Sequence, residues 1–520
     1  MLNVAALLTP EHYDHPVSGI ELLETHISWV ILTGPYAYKI KKPVNFGFLD
    51  FSTLPKRRHF CEEELRLNRR LAPDIYLEVV PIFGPVEAPH LKPDGDIIEY
   101  AVKMRQFAQS AQLDRILQQG KLPAAYMDAI AEVMAGFHLA IDQADATSEF
   151  GHPQQIWQPV AENFAQIRER ETRAAILKQL DALDHWSQAS FERLQPVFSQ
   201  RQHDGFVREC HGDLHLRNIA WFEDRPIIFD CIEFNPNLRW IDVISDLAFL
   251  FMDLIDRKQS ALAYRLLDRY LSRTGDYAGL AVLPFYFVYR AMVRAKVDRI
   301  RLSQSDVSAS ERTAEEQEFA SYLQLAKTFV QRPKPILMIT WGLSASGKST
   351  VSDRLLQAMG AIRLRSDVER KRLAGMDFMT RARADIGDGI YSPQMSERTY
   401  DYLLDQAAAV LAAGFPVIVD AAFLDAQRRE PFAQLAQRLE LPFVILQCVA
   451  SASNLRQRIS QRQADASDAD LAILEHQLSR FTPLLDDEMT HVVRIDTEQD
   501  LDLSYLTRQI REHAADTSYA

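Results

Sequence analysis
Hydrophobic and polar positions change rhythm several times along the chain. Residues 24–33 alternate between the two classes and are rich in β-branched types; after Gly34-Pro35 the alternation resumes over Tyr36–Lys41. A period of two interrupted by a turn signal reads as a β-hairpin. Residues 54–71 shift to helical spacing and carry Glu62, Glu63 and Glu64; residues 76–83 and 97–107 return to strand. From Gln112 onward the spacing is helical, with helices predicted over 127–141, 160–178 and 180–199. Short apolar runs at 219–222 and 227–230 flank a turn at 223–226, and residues 275–322 are again helical.

The stretch Gln331-Arg332-Pro333-Lys334-Pro335 has the composition of a linker. Beyond it the strands are continuously apolar rather than alternating: 335–341, 414–420 and 441–448, with shorter runs at 361–367 and 492–496. Helical segments at 351–359, 368–373, 396–413 and 453–462 separate them. Apolar strands alternating with helices predict a parallel sheet covered on both faces. Two domains are therefore expected. Residues 1–330 form a small β lobe (about 20–107) followed by a helical lobe (about 108–330), and residues 335–520 form an α/β domain. The first 20 residues show no usable period.

A length of 520 residues suits two or three domains, and a hydrophobic content of 47% lets each bury a core. The formal net charge of −13 argues against a nonspecific binder of nucleic acid or membrane surface. Four cysteines without a C-x-x-C pair argue against zinc and disulfides and suit a reducing cytoplasm. The N-terminus lacks the basic start and apolar core of a signal peptide. The longest apolar run, 241–255, carries Asp242, Asp246 and Asp253, so no membrane span is expected. Nothing in the sequence bears on oligomeric state.

Candidate chemistry lies in two places. Gly342 to Thr350 fits G-x-x-x-x-G-K-[ST] between a strand and a helix. Gly342, Ser344, Ala345, Ser346 and Gly347 form a loop whose backbone N–H groups can converge on an anion. The following helix adds its dipole, Lys348 reaches the outer phosphates, and Ser349 (with Thr350 beside it) offers a hydroxyl to Mg²⁺. Asp367 and Arg370 form D-x-x-R at the end of the next strand. There Asp367 is placed either to take a proton from an acceptor hydroxyl or to cap a helix, and Arg370 to steady phosphate or acceptor. Asp420 ends a buried strand and is a metal candidate. Arg456, Arg458 and Arg462 share a helix from which one or two could close over a transferring phosphoryl group.

The second place is Cys210–Asn218, CHGDLHLRN, followed twelve residues later by Asp230. Asp213 and Asn218 are five apart, the spacing H-x-D-x-x-x-x-N. A carboxylate on a rigid loop can accept a hydroxyl proton, while an amide oxygen and a second carboxylate clamp Mg²⁺ against nucleotide phosphates. His211 and His215 read as structural hydrogen-bonders. A basic cluster of Arg290, Arg294, Lys296, Arg299 and Arg301 reads as a solvated helix face, or else as an anionic-substrate or inter-domain surface.

The 211–230 pattern, with the helix that begins near Ile241, resembles the aminoglycoside phosphotransferase family of small-molecule kinases across residues 20–332. The resemblance implies an α+β, bilobal, protein-kinase-like fold, with Asp213 as catalytic base and Asn218 and Asp230 as metal ligands. It also implies Lys39 as the phosphate-pairing lysine and Glu64 as its partner, and adenine bound near Glu99–Arg105. Lys41 shares the face of Lys39, Glu62 and Glu63 compete with Glu64, and the family's glycine-rich loop is missing. Residues 335–511 resemble P-loop small-molecule kinases of the gluconate kinase, zeta toxin and polynucleotide kinase type, which implies a P-loop NTPase fold.

Together these imply two ATP- and Mg²⁺-dependent kinases acting on small-molecule hydroxyls. Two alternatives differ in kind: a polynucleotide 5′-hydroxyl kinase in the second domain, and a regulatory protein in which one kinase domain binds nucleotide without transferring it.

Overall fold
The computed structural model describes residues 2–47, 49–304, 307–377, 380, 389–461, 471–479 and 483–516. The chain divides into two compact units, Met1–Glu171 with Asp184–Asp253, and Thr172–Leu183 with Leu254–Ala520. Residues 254–330, expected from the sequence in the first domain, thus lie in the second unit.

The first unit opens on an antiparallel sheet of β1 (Glu21–Glu24), β2 (Ser28–Leu32), β3 (Tyr36–Lys41), β4 (Tyr76–Phe83) and β5 (Ile97–Arg105), in the order β1-β2-β3-β5-β4. The alternation of β3 explains its two faces. Tyr38 and Ile40 join Ile31, Ile82 and Ala101 in a core capped by Val4, Leu7 and Tyr13. Ala37, Lys39 and Lys41 point the other way, toward the helix Leu54–Asn68. The N-terminal turns Val4–Leu8 and Pro10–His12 are too short to carry a period, so the sequence did not disclose this cover. The run 24–33, expected as one strand, is divided: Thr25 Oγ1 accepts the Ser28 backbone N–H at 3.0 Å and turns the chain between β1 and β2.

The helical part contains Ala124–Ala140, Pro153–Arg168 and the long Ala174–His203. The break falls at 169–173, not near 179 as the spacing predicted, because Glu169 and Arg170 already close the earlier helix through its last carbonyls. Two short ladders follow: β6 (Val207–Glu209) pairs with β9 (Trp240–Asp242), and β7 (Ile219–Phe222) with β8 (Arg225–Ile228). Glu223 and Asp224, at φ 50° and 58°, form the tight β7–β8 turn.

The second unit is built on five parallel strands: β10 (Leu337–Trp341), β11 (Ile362–Arg365), β12 (Val417–Asp420), β13 (Phe443–Val449) and β14 (Val492–Asp496), in the order β11-β12-β10-β13-β14. All five residues of β10 are buried, as its uninterrupted apolar run requires. Met338, Ile418, Val444 and Leu446 pack on one side against Val351 and Leu355 of helix Lys348–Met359 and Ile510 of helix Leu503–Asp516. Tyr264, from helix Ser260–Thr274, packs against the same cluster.

The basic cluster is not a solvated face. Arg290 is buried, Arg299 pairs with Glu316 at 2.9 Å, and the Arg294 guanidinium lies over Tyr322. Helix Ala309–Val330 covers that side of helix Leu283–Leu302. Among the described residues no helix is long and apolar enough to cross a membrane.

Candidate active sites
In the first unit, Lys39 and Lys41 project from one face of β3 because they are two residues apart. Both reach Glu64, at 2.8 Å from its Oε1 and 2.7 Å from its Oε2 respectively. Glu64 is fully buried. Burial alone would raise its carboxyl, but the two ammonium groups outweigh burial and hold it well below the usual carboxylate range. Glu62 and Glu63 turn away to Arg58 and Arg66. Lys41 also meets Glu233, whereas Lys39 reaches Asp230 Oδ1 at 2.5 Å. Both lysines are therefore engaged, with only Lys39 contacting the acid of the β7–β8 hairpin.

The Asp213 loop is held by a buried carboxylate. Asp246 accepts the backbone N–H groups of His211 at 3.0 Å and Gly212 at 2.8 Å, and meets His138 Nε2 at 3.1 Å. Burial raises its carboxyl, but His138 and the loop donors prevail and lower it to about 2. His211 donates from Nε2 to the Phe229 carbonyl, which leaves Nδ1 to accept from the Asp213 backbone N–H. The buried trio His138, Cys210 and Asp246 has metal-ligand types. However, Asp246 already accepts these hydrogen bonds, and burial keeps the Cys210 thiol protonated.

Asn218 Nδ2 donates to the Asp213 carbonyl and to its Oδ2, both at 3.0 Å, and His215 Nε2 lies 3.4 Å from the same carboxylate. Asp230 sits at φ 64°, a strained backbone for a non-glycine residue, and its N–H donates to the Tyr76 hydroxyl. The Asp213 and Asp230 side chains keep 35% and 45% exposure, so these carboxylates, unlike Glu64, can meet a ligand.

Lys39, Asp213 and Asp230 line one cleft of about 550 Å³. Its apolar walls include Val30, Leu32, Ala37 and Met104. Thr25, Ile27 and Ser28 of the β1–β2 turn overhang it where the sequence lacked a glycine-rich loop. The segment on the cleft is 104–109, whereas Glu99, at the far end of β5, is sequestered by Arg57.

In the second unit the loop Gly342–Gly347 joins β10 to the helix Lys348–Met359. A side chain at Gly342 would lie 2.5 Å from the Cys448 carbonyl, and Gly347 turns into the helix at φ 88°. Ala345 takes a left-handed φ of 64° without being glycine. Lys348 Nζ curls back onto the carbonyls of Gly342 (2.9 Å) and Leu343 (2.7 Å). The Ser344 N–H donates to Gln477 Oε1 at 2.8 Å, and Ser346 Oγ is buried with no hydrogen-bond partner among the described residues. This curled backbone, with one N–H already turned toward a side-chain oxygen, fits a bound phosphate.

Ser344, Ala345, Gly347, Lys348, Ser349 and Thr350 line a cleft of about 740 Å³ together with Asp367, Arg370 and Asp420. Gly342 and Ser346 shape the loop from behind. Asp420 accepts from Ser352 Oγ at 3.1 Å and lies 3.8 Å from Arg365 Nε. Asp367 is not a helix cap, since Arg365 holds that position and Asp367 lies in the first turn. Arg370 is buried, donates to the Ile390 carbonyl and Ser396 Oγ, and lies over the Tyr391 ring, while its Nε has no partner among the described residues.

Arg456 is elsewhere: it pairs with Glu475 at 2.7 Å and does not line the cleft. Arg462 lies outside the described residues. Arg458 is the arginine of that helix on the cleft, bonded to Thr497 Oγ1 and to the Ala345 carbonyl. The sequence reading also missed Arg428, whose guanidinium lies over Tyr400, and the turn 497–501 after β14. The turn was recoverable, because ligands collect at the carboxyl ends of parallel strands. Arg428 was not, because it follows no motif.

Residues 53–283 match the "Phosphotransferase enzyme family", and residues 337–484 match a family described as "AAA domain". Uncharacterized proteins of Mycobacterium tuberculosis and Mycobacterium bovis are 31% identical over 461 residues, covering 88% of this chain and 89% of theirs. A choline/ethanolamine kinase family protein from Mesorhizobium loti is similar over 61% of this chain and 90% of its own, at 13% identity and a TM-score of 0.38. A gluconokinase from Sinorhizobium meliloti is similar over 35% and 92%, at 20% identity and a TM-score of 0.25. The chain belongs to the family of these mycobacterial proteins, and it is a phosphotransferase in which a protein-kinase-like domain precedes a P-loop domain.

Proposed function
We propose that both kinase domains are competent ATP-dependent kinases in the cytoplasm, each phosphorylating a small-molecule hydroxyl. The observation that carries this reading is that Lys39, Asp213 and Asp230 line one cleft, with Asn218 held against Asp213 behind it, and Lys348, Ser349, Asp367 and Asp420 line the other. In the first, Asp213 takes the acceptor's hydroxyl proton. The acceptor oxygen then bonds to the γ-phosphorus of ATP as the bond to the bridging oxygen breaks and ADP leaves. Lys39, steadied by Glu64, neutralises phosphate. Asn218 and Asp230 would hold Mg²⁺, which supplies charge neutralisation. In the second, Asp367 is the base, Lys348 and the loop N–H groups hold phosphates, Ser349 and Asp420 would hold Mg²⁺, and of the three arginines expected to supply a lid Arg458 takes that role.

On the acceptor side of the second cleft stand Arg370 and Arg428, each over a tyrosine ring. Arg428 has no ion pair among the described residues. That charge balance favours an acceptor carrying a phosphate or carboxylate. A net charge of −13 weighs against a long polynucleotide.

The test is phosphate transfer by the full chain across a metabolite panel that includes a 5′-hydroxyl oligonucleotide. Asp213→Asn and Lys348→Ala should each abolish transfer to a different acceptor set. If Asp213→Asn changes nothing, the first domain is a nucleotide sensor and the two-kinase reading fails.

A further inference from the structure
The second unit contains more than a P-loop fold. Helix Ser260–Thr274 falls within the stretch matched by the phosphotransferase family, 53–283, yet it packs in the same compact unit as β10–β14. Its contacts there are polar as well as apolar. Asp268, 2% exposed, accepts both Nε (3.2 Å) and one terminal nitrogen (2.9 Å) of Arg363 on β11. Arg363 is itself 3% exposed. Its other terminal nitrogen donates to the Ser349 carbonyl at 3.2 Å. Ser349 is the second residue of the helix that leaves the phosphate loop. Ser352 Oγ, 3.1 Å from Asp420, is 3.5 Å from the same nitrogen. Asp353 bridges Arg363 to Arg269 at 3.2 and 2.9 Å.

We infer that Asp268 is a positioning residue of the P-loop site. It fixes Arg363 so that the guanidinium anchors the Ser349 carbonyl, and with it the first helical turn whose hydroxyl and phosphate-facing N–H groups must hold their places. Arg363 is buried among three acids of different consequence, Asp268 and Asp353 behind the site and Asp420 within it. A bidentate carboxylate at 268 keeps the cation on the far side. Without it, the buried guanidinium turns to Asp353 or Asp420, and the latter takes a carboxylate from the metal position. The nearest segments support the same interlock. Tyr277 donates to Glu369 at 2.9 Å, and Arg372 donates to the Ser272 carbonyl at 2.6 Å, tying the next stretch of chain to the helix that carries Asp367 and Arg370. The P-loop kinase thus borrows a structural part from the chain of the preceding kinase.

The inference rests on the P-loop reading, and the test separates the two. Mg·ATP binding to the full chain is measured by calorimetry, and the site lost in Lys348→Ala is identified as the second site. Asp268→Asn should weaken that site about tenfold and raise the Mg²⁺ concentration it needs, leaving the remaining site unchanged. Arg363→Met should weaken it similarly, and Asp268→Asn added to Arg363→Met should weaken it no further, since one acts through the other. Wild-type affinity in Asp268→Asn, or additive losses in the double variant, would overturn the inference. If Lys348→Ala removes no site, the P-loop reading itself fails. A variant that melts early is replaced by Asp268→Glu, which keeps the charge and should retain most of the affinity.

Discussion
Replacing Glu64 by Gln puts the first cleft's electrostatics to a quantitative test. The side chain keeps its volume, but a carboxylate shared by two buried lysines becomes a neutral amide. Removing one member of a buried ion pair typically costs about 3–5 kcal/mol. The lower end applies, because each lysine keeps a second carboxylate, Asp230 for Lys39 and Glu233 for Lys41. The expectation is about 3 kcal/mol, read as a fall in the urea midpoint of the first unit's transition. Glu62→Gln, whose partner Arg58 is exposed on the same helix, should stay within about 0.5 kcal/mol. The effect has a sign in pH. The Glu64 carboxyl lies lower in the folded than in the unfolded state, so its contribution is complete above the ordinary glutamate range and lost as pH falls below it. The gap between wild type and Glu64→Gln should therefore narrow on acidification. Binding should respond too, because Lys39 without Glu64 belongs to Asp230 alone and competes with the metal there; the Mg²⁺ requirement should rise about tenfold. A variant with unchanged urea midpoint and unchanged Mg²⁺ dependence would refute the two-lysine arrangement.

Three further outcomes follow from other contacts. Asp246→Asn should flatten the acid limb of the first unit's stability between roughly pH 4 and 2, since a carboxyl lowered to about 2 contributes above its unfolded value and loses that contribution on acidification. It should also slow transfer at the first site without removing nucleotide binding, as single-turnover kinetics would separate. Arg458→Ala should reduce transfer at the second site, about 10²-fold for a donor aimed at developing charge, while Arg456→Ala, an exposed pair with Glu475, leaves turnover unchanged. Arg428→Ala should raise KM for anionic acceptors at the second site and not for neutral ones, and steady-state kinetics with a matched pair of acceptors would show it.

The parts of this molecule legible in the sequence are those whose geometry is local. The phosphate loop constrains consecutive residues, so strand, loop and helix appear in one window. The spacing of Asp213, Asn218 and Asp230 is set by one loop and one hairpin, and it survives as arithmetic along the chain. Parallel strands buried on both faces read as continuous apolar runs, so β10, β12 and β13 were visible. What was hidden depends on pairings across space. Nothing in the order of residues says which of three adjacent glutamates faces β3. Helix phase relative to the sheet decides it, and a one-residue change in that phase would have put Glu63 there instead. The arginine helix shows the same limit, since Arg456 and Arg458 have equal claims in sequence and only the phase of helix Ala452–Ser460 against the cleft separates them.

The division of the chain is the sharpest case. A proline-rich linker at 331–335 and a phosphate loop just after it make a boundary there natural, because composition marks where the backbone changes character. Packing obeys another criterion. Helix Ser260–Thr274 has an apolar side that must be covered and an aspartate, Asp268, that must be neutralised, and both needs are met by the fold on the far side of the linker, through Leu355's cluster and Arg363. A fragment beginning at 335 keeps every motif of the P-loop kinase, yet it leaves Arg363 with the partly exposed Asp353 and with Asp420 of the site itself, and exposes the face that Tyr264 covers. Such a fragment should bind Mg·ATP more weakly than one beginning at 254, and melt at a lower temperature. Equal affinity and equal melting of the two fragments would mean that the linker, and not the packing, marks the working boundary of the second kinase.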